Sequence, residues 1–148
     1  MINFKRFFTR TNADLVSATH LRRELRAQLN NRLNKEVVII LADQYYTPIS
    51  IERVAQIYNN SDIKNFKYEP DRFDCDDYSV VLKSKVVKAV KKDRKAIYAY
   101  AFGIVFGNIP TPHAINWFMT PERKILFIEP QSGEIFDPIG KNIVFLFS

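Results

Sequence analysis

The feature that most constrains this chain is an amphipathic helical pattern that begins directly after a short acidic stretch. Apolar residues recur in steps of three and four over residues 78–90, which predicts a helix that buries one face. The residues of this stripe are Tyr78, Val81, Leu82, Val86, Ala89 and Val90. Cys75, the single cysteine of the 148-residue chain, precedes the stripe in the same register. The pattern therefore places the thiol on the inward face at the start of a helix.

A thiol in this position has two interpretations. Backbone N–H groups at a helix N-terminus stabilise a thiolate, which is how many cysteine enzymes prepare a nucleophile. A lone cysteine is also commonly a small buried hydrophobe. Asp74 is a candidate N-cap, and Asp76 and Asp77 suit the positive end of the helix dipole. The spacing around Cys75 leaves both interpretations open.

Two predicted strands further along the chain carry a histidine and a glutamate. Residues 112–118 and 126–133 have strand patterns and are joined by a polar turn at residues 120–124. If Pro121 is the centre of this hairpin, His113 lies opposite Glu129, where a carboxylate can hold an imidazole. A turn one residue longer or shorter would place the two side chains on opposite faces. Cys75, His113 and Glu129 are thus candidates for nucleophile, base and orienting acid of a cysteine hydrolase.

Three short motifs resemble a known family. Cys75-Asp76-Asp77, His113-Ala114-Ile115-Asn116 and Glu129-Pro130-Gln131-Ser132-Gly133 resemble the papain-like cysteine peptidase domain at the C-terminus of a fairy-ring mushroom agglutinin. They are more loosely similar to the transglutaminase-like branch of the papain superfamily. The resemblance covers roughly residues 45–136. It implies a Cys–His–Glu triad, and calcium or manganese held by the carboxylates that follow the cysteine. The agglutinin's sugar-binding β-trefoil is not covered, so the resemblance does not carry carbohydrate recognition to this chain.

The expected chemistry is acyl transfer through a thioester on Cys75. The thiolate attacks an amide carbonyl, His113 protonates the leaving amine, and Glu129 orients the ring. Water as acceptor gives a peptidase or amidase and an amine gives a transglutaminase, and the sequence does not decide between them. The expected partner is a peptide or protein substrate. Three further residues are candidates around the triad: Gln44 as an oxyanion donor, and Asn116 and Gln131 as site neighbours.

Asp76 and Asp77 are also candidate metal ligands. Their negative charge would oppose thiolate formation, and a bound divalent cation would reverse that penalty. Carboxylate oxygens suit calcium, magnesium or manganese rather than zinc. Without a metal, the same two aspartates are explained equally well as acidic residues in the first turn of a helix. No organic cofactor is expected.

Two alternatives belong to other classes of protein. Phe73-Asp74-Cys75 is similar to the start of the NlpC/P60 motif of cell-wall amidases, although that family places Ser-Gly where this chain has Asp76-Asp77. The other alternative is a non-catalytic binding protein that uses a basic surface. The formal net charge is +6, and residues 1–35 carry eight Lys or Arg against Asp14 and Glu24. A second group of cations, between Lys83 and Lys95, follows the cysteine. Solvated helix faces explain both groups most simply, and nucleic acid is not the expected partner.

The predicted fold class is α+β, because helical patterns precede a series of strands that begins near Ala96. We expect a papain-like or transglutaminase-like domain, with N-terminal helices and the cysteine helix packed on an antiparallel sheet. One domain over residues 1–148 is expected, with residues 1–35 as a basic helical segment packed on it. That segment has a leucine stripe from Leu15 to Leu33, with Thr11 or Asn12 as caps. A cytoplasmic location is expected, because Met1–Arg10 is too charged for a signal peptide, a lone cysteine forms no internal disulfide, and no segment suits a membrane span.

Overall fold

The computed structural model of the chain describes residues 15–148. The charged segment Met1–Arg10 and the expected caps Thr11 and Asn12 therefore lie outside the described residues. The first half contains a short strand, a helix, two further strands and two more helices, and the second half contains five strands. In chain order these elements are β1 (Val16–Ser17), α1 (Ala18–Leu29), β2 (Leu33–Ile40), β3 (Tyr45–Tyr46), α2 (Ile51–Asn59), α3 (Cys75–Lys92), β4 (Phe102–Asn108), β5 (Pro112–Met119), β6 (Ile125–Ile128), β7 (Ile135–Phe136) and β8 (Lys141–Phe147).

Helix α1 is shorter than its leucine stripe. Ser17 is the N-cap, and its hydroxyl accepts a hydrogen bond from the backbone N–H of His20 at 3.2 Å. The buried residues of the helix are Leu21, Leu25 and Leu29. Leu33, the last residue of the expected stripe, is the first residue of strand β2. The apolar spacing thus predicted the buried face of α1 correctly and overestimated its length.

Helix α3 is the long helix that the sequence predicts from Cys75. Asp74 and Asp77 form a capping box, in which the Asp77 carboxylate accepts from the backbone N–H of Asp74 at 3.1 Å. Its 18 residues give the helix a length of about 27 Å. Ser50 caps α2 in a similar way, by accepting from the Arg53 N–H at 3.2 Å. Within residues 15–148, no helix is both long and apolar enough to cross a bilayer.

The main sheet has six strands in the order β2-β8-β4-β5-β6-β7. Strand β2 pairs parallel with β8, whereas the other neighbouring pairs are antiparallel. This mixed sheet corrects the expected fold class, a papain-like or transglutaminase-like domain with the cysteine helix on an antiparallel sheet. The correction arises because β2, from the mainly helical first part of the chain, becomes an edge strand that pairs in parallel with the C-terminal β8. Strands β1 and β3 form a separate antiparallel ribbon.

The sheet is covered on both faces. Alternate residues of a strand point to opposite faces, and the buried residues form two clusters accordingly. Ile115, Trp117 and Met119 of β5 belong to the cluster that contains the buried leucines of α1. Phe118 of β5 belongs to the cluster formed with α2 and α3. The protein is therefore an α+β structure with α1 on one face of the mixed sheet and α2 and α3 on the other.

Candidate functional site

His113 and Glu129 lie together at the end of the β5–β6 hairpin. The Nε2 atom of His113 is 2.7 Å from Oε2 of Glu129, and the two side chains are 20% and 21% exposed. The strands pair Asn116 with Ile128, so the hairpin centre is one residue later than the predicted Pro121. The partner of each residue consequently shifts by two positions, which keeps His113 and Glu129 on one face as diagonal neighbours.

The turn after β6 holds Glu129 in place. Its Oε1 accepts a hydrogen bond from the Gln131 N–H at 3.1 Å, and its backbone C=O accepts from the Gly133 N–H at 2.7 Å. Gly133 has a positive φ of 79°, and a Cβ at this position would lie 2.3 Å from the ring of Tyr58. The Tyr58 hydroxyl donates to the Gln131 carbonyl at 3.1 Å. Burial, with a smaller contribution from the charge of Glu129, raises the pKa of Tyr58.

The histidine–glutamate pair opens onto a cavity of about 300 Å³. The rest of the lining is largely apolar and comes from the β4–β5 turn, β5, β7 and the segment after β7. These lining residues are Ile109, Pro110, Thr111, Ile115, Phe136 and Ile139. A small concave site with apolar walls and one oriented polar pair has the character of a ligand pocket.

Cys75 is half-buried at the first position of α3. Its backbone carbonyl accepts a hydrogen bond from the Ser79 hydroxyl at 2.9 Å. Within residues 15–148, no hydrogen bond joins the Cys75 thiol to His113, and Cys75 does not line the cavity described above. The structure therefore brings together two of the three residues predicted as a triad, and it leaves the thiol outside their hydrogen bonding.

Asp74 and Asp76 are the acidic groups nearest to the thiol. Their carboxylate oxygens and the Cys75 sulfur all lie within 4.8 Å of one another. A hydrogen bond to Asp74, together with burial, raises the pKa of Asp76. Accepting that hydrogen bond lowers the pKa of Asp74. A hard divalent cation can take the place of the bonding proton, and the donor set of two carboxylates fits calcium or manganese. The sequence paired Asp77 with Asp76 as metal ligands, but the Asp77 carboxylate instead accepts the hydrogen bond of the capping box.

The remaining predicted site residues have other contacts. Gln44 is exposed in the bend before β3, and its carbonyl accepts from the Ala18 N–H at 2.9 Å. Asn116 is fully buried, and its Nδ2 donates to the carbonyls of Ser79 at 3.0 Å and Gly103 at 3.1 Å. Asn116 thus ties α3 to the sheet rather than lining the pocket. Gln131 contributes its backbone to the turn that holds Glu129.

The fold and the site define an α+β domain in which a histidine–carboxylate pair opens onto a small pocket. A family described as agglutinin C-terminal matches residues 46–135, which is more than half of the chain. The chain belongs to this agglutinin C-terminal family, which confirms the agglutinin part of the resemblance seen in the motifs. Comparison with curated protein sequences gives no match.

Two solved structures superpose well on the chain. One is described as a complex of PSL1a with E64 and has a TM-score of 0.81. The other is a lectin of Polyporus squamosus bound to the human-type influenza-binding epitope Neu5Acα2-6Galβ1-4GlcNAc, with a TM-score of 0.77. Each is 22% identical in sequence, and each match covers 91% of this chain and 50% of the solved chain. This chain thus spans half the length of the proteins that it resembles.

These findings correct two of the expectations. One of the solved chains with this fold is described as a lectin, which corrects the expected papain-like or transglutaminase-like class. The family is described as agglutinin C-terminal, which with the lectin overturns the expectation of a cysteine peptidase or amidase. The lectin is described with a glycan ligand rather than a peptide.

Proposed function

We propose that this chain is a non-catalytic carbohydrate-binding protein whose ligand occupies the pocket at His113 and Glu129. The observation that carries the proposal is the likeness over 91% of the chain to two solved chains, one of them described as a lectin bound to a sialylated trisaccharide. The ligand would then bind in the half of those proteins that matches this chain.

The chemistry of the pocket supports a sugar as the ligand. A sugar ring has apolar C–H faces and a rim of hydroxyl groups, so it needs an apolar wall and a few fixed polar atoms. Phe136 and Ile139 supply part of the wall, and the Glu129 carboxylate accepts hydrogen bonds from hydroxyl groups. When His113 Nε2 donates to Glu129, the Nδ1 of the neutral ring is an acceptor for a further hydroxyl. A volume of about 300 Å³ limits the occupant to one sugar unit of a longer glycan.

Binding of this kind requires no chemistry at Cys75. The hydrogen bond between His113 and Glu129 fixes the ring, and the described chain adds no hydrogen bond from the thiol. Both side chains are about four-fifths buried, so they are held in place before a ligand arrives. Preorganisation of this type reduces the entropy cost of binding.

The test is a titration of ¹⁵N-labelled protein with Neu5Acα2-6Galβ1-4GlcNAc, followed by amide chemical shifts. We expect the perturbed amides to cluster at residues 109–115 and 129–136. His113→Ala should weaken binding by at least about tenfold, which corresponds to the loss of one oriented hydrogen-bonding group. His20→Ala is the matched control, because it removes the other histidine of the chain from the partly exposed face of α1.

The same titration with E64 separates two outcomes. If E64, a thiol-alkylating epoxide, forms an adduct with Cys75 that perturbs the pocket amides, the thiol reaches the pocket and the non-catalytic proposal is contradicted. If neither ligand perturbs residues around His113 and Glu129, the proposed pocket is wrong. Glu129→Gln and the exposed control Glu134→Gln complete the set, and only the first should reduce affinity.

A further inference from the structure

A second concave surface lies between α2 and the C-terminal half of α3. It has a volume of about 410 Å³, and its floor contains Ile57 and Ala89. Lys85, Lys88 and Lys92 line one wall, at steps of three and four that place them on the same side of α3. We call this surface the lysine groove.

The lysines of the groove are only partly neutralised. Lys85 forms an ion pair with the exposed Asp62 at 2.6 Å. The hydrogen bond from Lys85 is the main cause of the lowered pKa of Asp62, and the charge of Lys88 makes a smaller contribution. The ammonium groups of Lys88 and Lys92 make no ion pair of their own in residues 15–148. Two exposed cations therefore face the groove without a carboxylate of their own.

Arg53 extends the groove into a neighbouring cavity of about 360 Å³, whose lining includes Lys95 and Asp93. Its Nε lies 3.9 Å from Asp93 and has no hydrogen-bond partner in the described part of the chain. The Asp93 carboxylate already accepts hydrogen bonds from the Tyr100 hydroxyl and the Lys95 N–H. Both hydrogen bonds lower the pKa of Asp93, the bond from Tyr100 more strongly, and they keep its carboxylate ionised. The two cavities share Arg53, and together they are lined by six cationic side chains, Arg123 included, and two carboxylates.

The lysine groove is separate from the His113 pocket. It is lined by residues of α2, the segment after α2 and the later turns of α3, whereas the His113 pocket is lined by residues of the sheet and its connecting turns. None of its lining residues lines the His113 pocket. A ligand in the groove would therefore leave the proposed sugar pocket accessible.

We propose that the lysine groove binds an anionic polysaccharide through its sulfate or carboxylate groups. Lysines at successive turns present point charges along a line, which suits a polymer with regularly repeated anions. Single-stranded nucleic acid would require aromatic rings on which bases stack. The one aromatic residue along this surface, Tyr100, is 5% exposed and bonded to Asp93.

The probe is a heparin-derived hexasaccharide, and the measurement is its dissociation constant at several salt concentrations. The test variant is Lys88→Gln with Lys92→Gln, and the matched control is Lys35→Gln with Lys141→Gln. Each pair removes two exposed lysines and lowers the net charge equally, and the control lysines lie on β2 and β8. The groove variant should raise the dissociation constant by at least about tenfold and reduce its dependence on salt concentration. The control variant should change the dissociation constant by less than about twofold.

Three results would overturn the proposal: no binding by the wild type, equal weakening in both variants, or weakening in neither. An oligothymidine of the same charge is measured in parallel. If it binds more tightly than the hexasaccharide with the same dependence on Lys88 and Lys92, the partner is a nucleic acid instead. Hexasaccharide binding is also measured in His113→Ala, where we expect it to be unchanged, so failure of the sugar pocket is distinguished from failure of the groove.

Discussion

At the scale of single residues, three acidic residues within four positions at the start of α3 have different partners. Asp74 and Asp76 share a hydrogen bond, and the Asp77 carboxylate accepts from the backbone N–H of Asp74. The sequence identified Asp74 as a candidate N-cap and Asp76 and Asp77 as first-turn acids, and it paired Asp76 with Asp77 as ligands. The sequence could not distinguish the roles of the three aspartates, because the direction of each carboxylate depends on the capping box that the folded turn forms.

The first prediction contrasts Asp76→Ala with Asp77→Ala. Calcium or manganese at millimolar concentration should raise the Tm of the wild type, because a ligand that binds only the native state stabilises it by mass action. Asp76→Ala should abolish this rise. Asp77→Ala should retain it and instead lower the Tm under every condition, since it removes the capping box. Thermal unfolding with chelator and with each cation checks the prediction, which fails if both variants respond to the cations alike.

Asp76 also makes the cation-free stability depend on pH. Its pKa is raised in the folded state, so protonated Asp76 favours folding, and this contribution is lost as the pH rises through the raised pKa. Asp76→Ala should therefore gain Tm relative to the wild type in chelator as the pH rises above the ordinary pKa range of an aspartate, because repulsion from Asp74 is removed. Unfolding curves at several pH values measure this gain, and a difference that stays constant with pH would contradict it.

At the scale of elements, the contact between α3 and β5 depends on one buried amide. Asn116 donates to the carbonyl of Ser79 in the helix and to that of Gly103 in the neighbouring strand. We predict that Asn116→Ala lowers the free energy of unfolding by about 2–3 kcal/mol, from lost buried hydrogen bonds and an added cavity. The exposed control Asn31→Ala should change it by less than about 0.5 kcal/mol. Urea unfolding of both variants checks this, and equal stability would show that the amide does not hold the two elements together.

Several elements could be predicted from local patterns. Apolar spacing identified the buried faces of α1 and α3. The hairpin centre was misplaced by one residue, because the turn at residues 120–124 is centred on residue 122 and not on Pro121. The two-position shift nevertheless preserves the side-chain alternation, so the contact between His113 and Glu129 was predictable.

At the scale of the whole molecule, the sequence predicted the α+β composition but not the arrangement of the sheet. The parallel pairing of β2 with β8 joins segments about a hundred residues apart, such as Val38 and Phe145. No local pattern specifies a contact between such distant segments. The place of β2 at the sheet edge is visible only in the structure.

The functional class was equally hard to predict from three motifs. A cysteine at a helix start and a paired histidine and glutamate suggest a triad, but sequence spacing cannot show whether the thiol meets the imidazole. The lysine groove was visible only as a run of cations between Lys83 and Lys95. The structure separates the members of that run: Lys83 turns inward to donate to the Phe102 carbonyl at 3.0 Å, whereas Lys85, Lys88 and Lys92 face the groove.

The central claim is that this domain binds a ligand and performs no chemistry with Cys75. The most direct test is a cleavage assay in which wild type and Cys75→Ala are incubated with an unfolded protein substrate, with calcium or manganese and with chelator. New N-termini are counted over time. We predict that both proteins give the same background and that E64 does not change it. Cleavage by the wild type that disappears in Cys75→Ala and in the presence of E64 would contradict the account.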